Sequence, residues 1–156
     1  MMRLVAASWL LLSGLATWTC ARPEDPARVE LRARLQQEVR LSDEELGRFC
    51  NEVARTVEGK SFRIKYGEAP RALSAEQHAA VFGMLSNRAG LYDEGLRRDG
   101  GINYRVLNGP ARSNNAEIEA SQRLWIDVET FLPLRYQFTY AFQGYGDYTY
   151  DLVLDR

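Results

Sequence analysis

The feature that most constrains this chain is a two-residue alternation in its last third. From Leu134 the apolar side chains fall at every second position (Leu134, Tyr136, Phe138, Tyr140, Phe142), with Arg135, Gln137, Thr139 and Ala141 between them. After a break at residues 143–146 the pattern resumes with Tyr148, Tyr150, Leu152 and Leu154, set against Asp147, Thr149, Asp151 and Asp155. A pleated strand sends successive side chains to opposite faces, so this spacing predicts an antiparallel pair with one face buried and one wet. Five large side chains beside four make a sheet face that another element has to cover.

The best candidate for that roof lies upstream. Ser42 and Glu45 have the spacing of a capping box, and Leu46, Phe49, Cys50, Val53 and Val57 follow at helical intervals until Gly59. A second capping box, Ser74 with Gln77, opens a helix to about Asn87 with His78, Val81, Phe82 and Leu85 on one face. A first helix can begin at Pro26 and run through residues 28–40, on an imperfect stripe of Val29, Leu31, Leu35 and Val39.

The stretches between read as strands and turns. Phe62, Ile64 and Tyr66 alternate with Ser61, Arg63 and Lys65 as a short strand, and residues 67–71 turn the chain. Residues 91–107 form a hairpin that turns at Asp99-Gly100-Gly101. Residues 108–117 carry Asn-Gly, Pro, Ser and paired Asn, the marks of a loop and a natural mouth for a pocket. The fold expected is α+β: two or three helices packed on one face of a twisted antiparallel sheet of about five strands, in a single domain over residues 28–156.

The amino terminus is set apart. Arg3, the apolar run of residues 4–12 and small residues before Ala16 or Ala21 predict a signal peptide over residues 1–16 or 1–21, followed by a linker at 22–27. The chain is therefore expected to be exported, to a periplasmic or extracellular space. A retained membrane anchor at this terminus is the rival reading, and any contact with a membrane is assigned to this terminus alone. Cys20 is lipidated, paired with Cys50 or removed, according to the cut. The preferred reading of Cys50 is a small buried apolar side chain.

Charge and motif content narrow the function. A formal charge of −1, with basic and acidic residues interspersed, gives no excess to pair with phosphates, so no nucleic-acid partner is expected. One histidine and two separated cysteines cannot close a tetrahedral zinc site, and no metal, cofactor or catalytic residue is assigned. No Gly-x-Ser-x-Gly, P-loop or Gly-x-Gly-x-x-Gly is present. Asp127, Glu129 and Thr130 read as a polar turn joining two strands. Arg63, Lys65, Arg105 and Arg135 fall at the presumed solvent-facing strand positions.

What remains is binding. An apolar ligand (a lipid or acyl chain) or a partner protein of the envelope would meet Phe49, Val53, Phe82, Trp125, Tyr136, Phe138 and Tyr140 between helix and sheet. Two alternatives stand beside it. One is an interaction module of cystatin-like or NTF2-like shape with a filled core; the other is a hydrolase built on His78, the only histidine.

The residues LWIDVETFLPLR at 124–135 resemble a hairpin of the bacterial periplasmic lipoprotein-carrier and envelope-sensor family, of LolA, LolB and RseB type. The residues that carry it are Trp125, Asp127, Thr130, Leu132, Pro133 and Arg135. It covers a dozen residues, or about thirty with the strands that follow. The resemblance implies a curved antiparallel sheet wrapped over helices, enclosing an apolar cavity for lipid acyl chains. It carries over no individual binding residue.

Overall fold

The structure, a computed structural model, describes residues 23–66, 69–111, 118–142, 144 and 146–155. The expected signal peptide and Cys20 lie outside these residues, as do positions 112–117 of the expected loop. Among the described residues three helices come in the first half: α1 (Pro26–Leu35), α2 (Asp43–Val57) and α3 (Ala75–Ser86). Seven strands make one antiparallel sheet: β1 (Arg63–Tyr66), β2 (Ala69–Ala72), β3 (Tyr92–Asp99), β4 (Ile102–Pro110), β5 (Ile118–Asp127), β6 (Pro133–Phe142) and β7 (Gly146–Asp155). Their order across the sheet is β2-β1-β7-β6-β5-β4-β3. The class is α+β as expected, but the sheet is larger than about five strands.

The extra width has identifiable sources. The stretch expected to turn the chain is instead β2, paired with β1 from Arg63↔Ala72 to Tyr66↔Ala69. Its Pro70 cannot donate to a ladder, and β2 sits at the sheet edge, where that loss is tolerated. Asn108, Gly109 and Pro110, expected in a loop, extend β4 and pair with Arg123, Gln122 and Ser121 of β5. The hairpin turn is where glycine placed it: Gly100 and Gly101 take φ of 55° and 80° between β3 and β4.

Both capping boxes form. Ser42 accepts from the Glu45 amide while Glu45 accepts from the Ser42 amide, and Ser74 and Gln77 do the same. Helix α1 stops at Leu35, short of the expected Arg40. Its start recruits the expected linker: Asp25 caps the Ala27 amide, and Glu24 accepts from Arg32.

Every residue of the α2 stripe is buried, and it joins one core with Leu31 and Leu35 of α1, Val81, Phe82, Met84 and Leu85 of α3, and Leu107, Leu124, Ile126, Tyr136 and Leu154 of the sheet. The aromatic stripe is only half covered. Tyr136 and Leu154 are buried, Phe138, Tyr140 and Leu152 are half-buried, and Tyr148 and Tyr150 remain 56% and 49% exposed. The sheet is longer than the helices laid on it, so the far end of β6 and β7 projects beyond the roof.

The turn between β5 and β6 closes the core from below. Asp127 accepts from the Glu129 amide at 2.9 Å and from the Thr130 hydroxyl at 2.6 Å, as a polar turn should. Phe131 follows with a positive φ of 59°, unusual for an aromatic residue. That backbone drives its ring into the core, 6.2 Å from Phe49 and beneath the guanidinium of Arg28 at 4.8 Å.

A groove between the third helix and the sheet

Helix α3 has two working faces. Val81, Phe82, Met84 and Leu85 enter the core, while Ala79, Ala80 and Gly83 face a groove of about 520 Å³. Ala89 and the end of β4, Pro110 and Ala111, close one side, and Gln122, Tyr136 and Phe138 form the floor. Small side chains on the helix are what keep the space open, because nothing lies within 4 Å of a Cβ built on Gly83. Gly90 sets the position of the chain leaving α3. It has φ of 74°, and a Cβ there would stand 3.1 Å from the Pro110 ring.

The floor is apolar because its polar groups bond one another. The Tyr136 hydroxyl donates to Gln122 Oε1 at 3.2 Å, and Gln122 Nε2 donates to the Pro110 carbonyl at 3.0 Å. Burial, with a smaller effect from neighbouring Tyr140, pushes the Tyr136 phenol well above its ordinary pKa, so it stays a neutral donor. From Phe138 an aromatic series leads out of the groove. Tyr140 lies 4.4 Å from Phe138, and Tyr150 meets Tyr140 edge-on at 6.1 Å.

The seven expected lining residues are distributed among four places. Tyr136 and Phe138 line the groove, and Tyr140 stands beside it on Phe138. Phe49 and Val53 are wholly buried in the filled core under α2. Phe82 is a core residue whose edge also borders a crevice between α2 and α3. Trp125 points away from all of them: Leu124 and Ile126 on either side of it are core residues, and alternation sends it to the opposite face. There it stacks under Arg135 at 4.8 Å, in a cleft of about 380 Å³ with Arg97, Tyr104 and Val153.

Comparison with protein-family models, with curated proteins and with solved structures finds no match for this chain.

The solvent-facing placement expected for Arg63, Lys65, Arg105 and Arg135 fails at Arg105. Arg105 is wholly buried, on the core face of β4. Arg135 is paired with Asp151, Arg63 is exposed, and the Lys65 side chain lies outside the described residues. His78 borders the α2–α3 crevice with its ring edge-on to Phe82 at 4.5 Å and 6.3 Å from Phe62. Its ring nitrogens have no hydrogen-bond partner among the described residues, so no base–nucleophile pair is assembled there. Among the described residues no three His, Cys, Asp or Glu converge in a way that could hold a metal ion. Cys50 is a buried free thiol, its pKa raised to about 11 chiefly by burial. No described helix is long and apolar enough to cross a membrane.

The residues that sequence reasoning missed here are small ones. Ala79, Ala80, Gly83 and Ala89 carry no chemical signal, and only their lack of bulk beside the sheet makes the groove. A run of small side chains opposite the bulky face of α3 was the available clue.

Proposed function

We propose that this chain is a binding protein that takes an apolar ligand, an acyl chain or a similar unbranched group, into the groove between α3 and the sheet. The observation that carries the reading is an open apolar trough of about 520 Å³ whose polar floor atoms are already bonded to one another. That volume falls within the roughly 300–1,000 Å³ of ordinary ligand sites. A ligand entering it strips water from Phe138, Met84 and the alanines while the Tyr136 hydroxyl and the Gln122 amide keep their partners. The signal-like amino terminus, with its apolar run at 4–12, supports action outside the cytoplasm. The hairpin resembling the lipoprotein-carrier family supports a lipid as the ligand.

The test is uptake of a fluorescent fatty-acid probe by delipidated protein. Saturable uptake is expected, and Phe138→Asp is expected to abolish it while the circular dichroism spectrum stays that of the parent. Absence of uptake by the parent, or equal uptake by Phe138→Asp, sinks the reading.

A further inference from the structure

The face of the sheet turned away from the helices holds a cleft of about 380 Å³, with walls from β3 through β7. Strand register builds it. Arg97 of β3 is paired with Tyr104 of β4, and Val106, two residues on, is paired with Trp125. Trp125 is paired in turn with Arg135, and Arg135 with Val153. Residues in register, or two apart on one strand, share a face, so these side chains and Asp99 lie on one side of the sheet.

One wall is fixed before any ligand arrives. The Arg135 guanidinium is held over the Trp125 ring at 4.8 Å by two bonds to Asp151, of which the one from Nε is 2.7 Å. Its charge is already matched, and it gives the cleft a rigid side. Val153, 51% exposed, and half-buried Leu134 add aliphatic surface.

The remaining polar groups are unpaired. Among the described residues the side chains of Arg97, Asp99 and Tyr104 make no hydrogen bond and no ion pair, although all three line the cleft. Arg97 and Asp99 do not bridge even to each other. The Asp99 charge is felt inside the cleft. It adds to the rise that burial causes in the Tyr104 pKa, and to the rise that Asp151 causes at Arg135. Asp127, next in the row beyond Tyr104, is committed to its own turn.

We propose that this cleft binds a free α-amino acid with a large apolar side chain, its carboxylate on Arg97, its ammonium on Asp99 and its side chain against Trp125, Leu134 and Val153. Charge selects that class. A plain anion suited to Arg97 would sit beside Asp99, and a plain cation suited to Asp99 would sit beside Arg97. A neutral apolar molecule would cover both charges and pair neither. A compact ligand with both signs next to an apolar body meets all three demands. Size agrees, since 380 Å³ is near the lower limit of the roughly 300–1,000 Å³ usual for ligand sites. The cleft is on the opposite face from the α3 groove and does not depend on it.

The test is calorimetric titration of the whole chain with L-leucine. Saturable binding is expected, with a Kd below about 1 mM, within reach of a ligand of this size. N-acetyl-L-leucine, which lacks the ammonium, and L-leucinamide, which lacks the carboxylate, are each expected to bind at least about tenfold more weakly. Glycine, without the apolar side chain, is expected to bind more weakly too. Asp99→Asn is expected to erase the difference between L-leucine and its N-acetyl form, and Arg97→Gln the difference between L-leucine and its amide. Both positions are exposed, so both variants are expected to keep the parent's fold and fatty-acid uptake. The proposal is overturned if L-leucine does not bind, if the blocked forms or glycine bind as well as L-leucine, or if those differences survive in the variants. Tighter binding of phosphocholine, a zwitterion with no apolar side chain, would also overturn it.

Discussion

Arg105 Nη1 donates a 2.6 Å hydrogen bond to Asp93 Oδ2 in a place where neither side chain is more than 1% exposed. The same guanidinium donates to the carbonyls of Leu35, Gln37 and Val39, and Asp93 accepts from the amides of Leu41 and Gly95. One ion pair thus satisfies the end of α1 and holds the α1–α2 connection against the first two long strands. Burial lowers the Arg105 pKa, and the neighbouring Asp93 opposes that shift.

Removing either partner strands the other in the core. Arg105→Met and Asp93→Leu are each expected to cost about 3–5 kcal/mol in urea unfolding. The double variant is expected to lose less than the sum of the two, by about 0.5–3 kcal/mol, because one strongly coupled interaction is being counted twice. Strict additivity would show that the pair is not coupled.

Gly83 separates stability from binding. Its backbone is helical and a Cβ meets nothing within 4 Å, so Gly83→Ala is expected to stabilise the protein by about 0.5–1 kcal/mol and leave fatty-acid uptake in place. Gly83→Leu is expected to keep the fold and lower uptake at least severalfold, because the larger side chain occupies the groove. Thermal melts and probe titration of both variants provide the check.

Acid should loosen the start of α2. The carboxyl of Glu45 is lowered to about 2, first by the Arg34 guanidinium that donates to it at 2.5 Å and then by the Ser42 amide. A depressed carboxyl stabilises the fold above its unfolded pKa and loses that contribution as pH falls through the folded value. Stability is therefore expected to decline between about pH 4.5 and about pH 2. Glu45→Gln is expected to flatten that decline in pH-dependent urea titrations.

Cys50 should be silent in the native state. It is completely buried and its thiol is pushed up to about 11, so little thiolate exists at neutral pH. An aromatic disulfide reagent is expected to label it only at the rate of unfolding, and to label it at once in denaturant. Rapid labelling of the folded chain would mean that the α2–sheet contact opens readily.

Much of the scaffold was legible in local spacing. The two capping boxes, the α2 stripe, the Gly100-Gly101 turn and the β6–β7 pairing all rest on residues within a few positions of each other. The sheet's width was not, because β2 and the end of β4 are sequences rich in turn formers. β2 becomes a strand by pairing with β1, which is itself held by β7 about 90 positions further on, and the end of β4 by pairing with β5 about 13 positions on. Trp125 and Arg105 were misplaced for a related reason. A strand's alternation says which residues share a face and leaves open which face is covered. In β4 Arg105 took the covered side because helix-end carbonyls and Asp93 wait there.

Phe131 and the groove show the same limit. No local pattern announces an aromatic residue at positive φ, and the ring is held there by Phe49, 82 positions earlier, and by the Asp127 turn. The groove needs two surfaces that chain proximity does not bring together.

By itself, then, the sequence determined which segments are helix or long strand and which side chains must leave water, because those follow from periodicity and capping within single turns or strands. The tertiary structure alone decided where the roof ends, which leaves a trough beside α3 and the far end of β7 exposed to solvent. The reason is length: three short helices cannot cover a sheet of ten-residue strands, and only their placement determines what stays open.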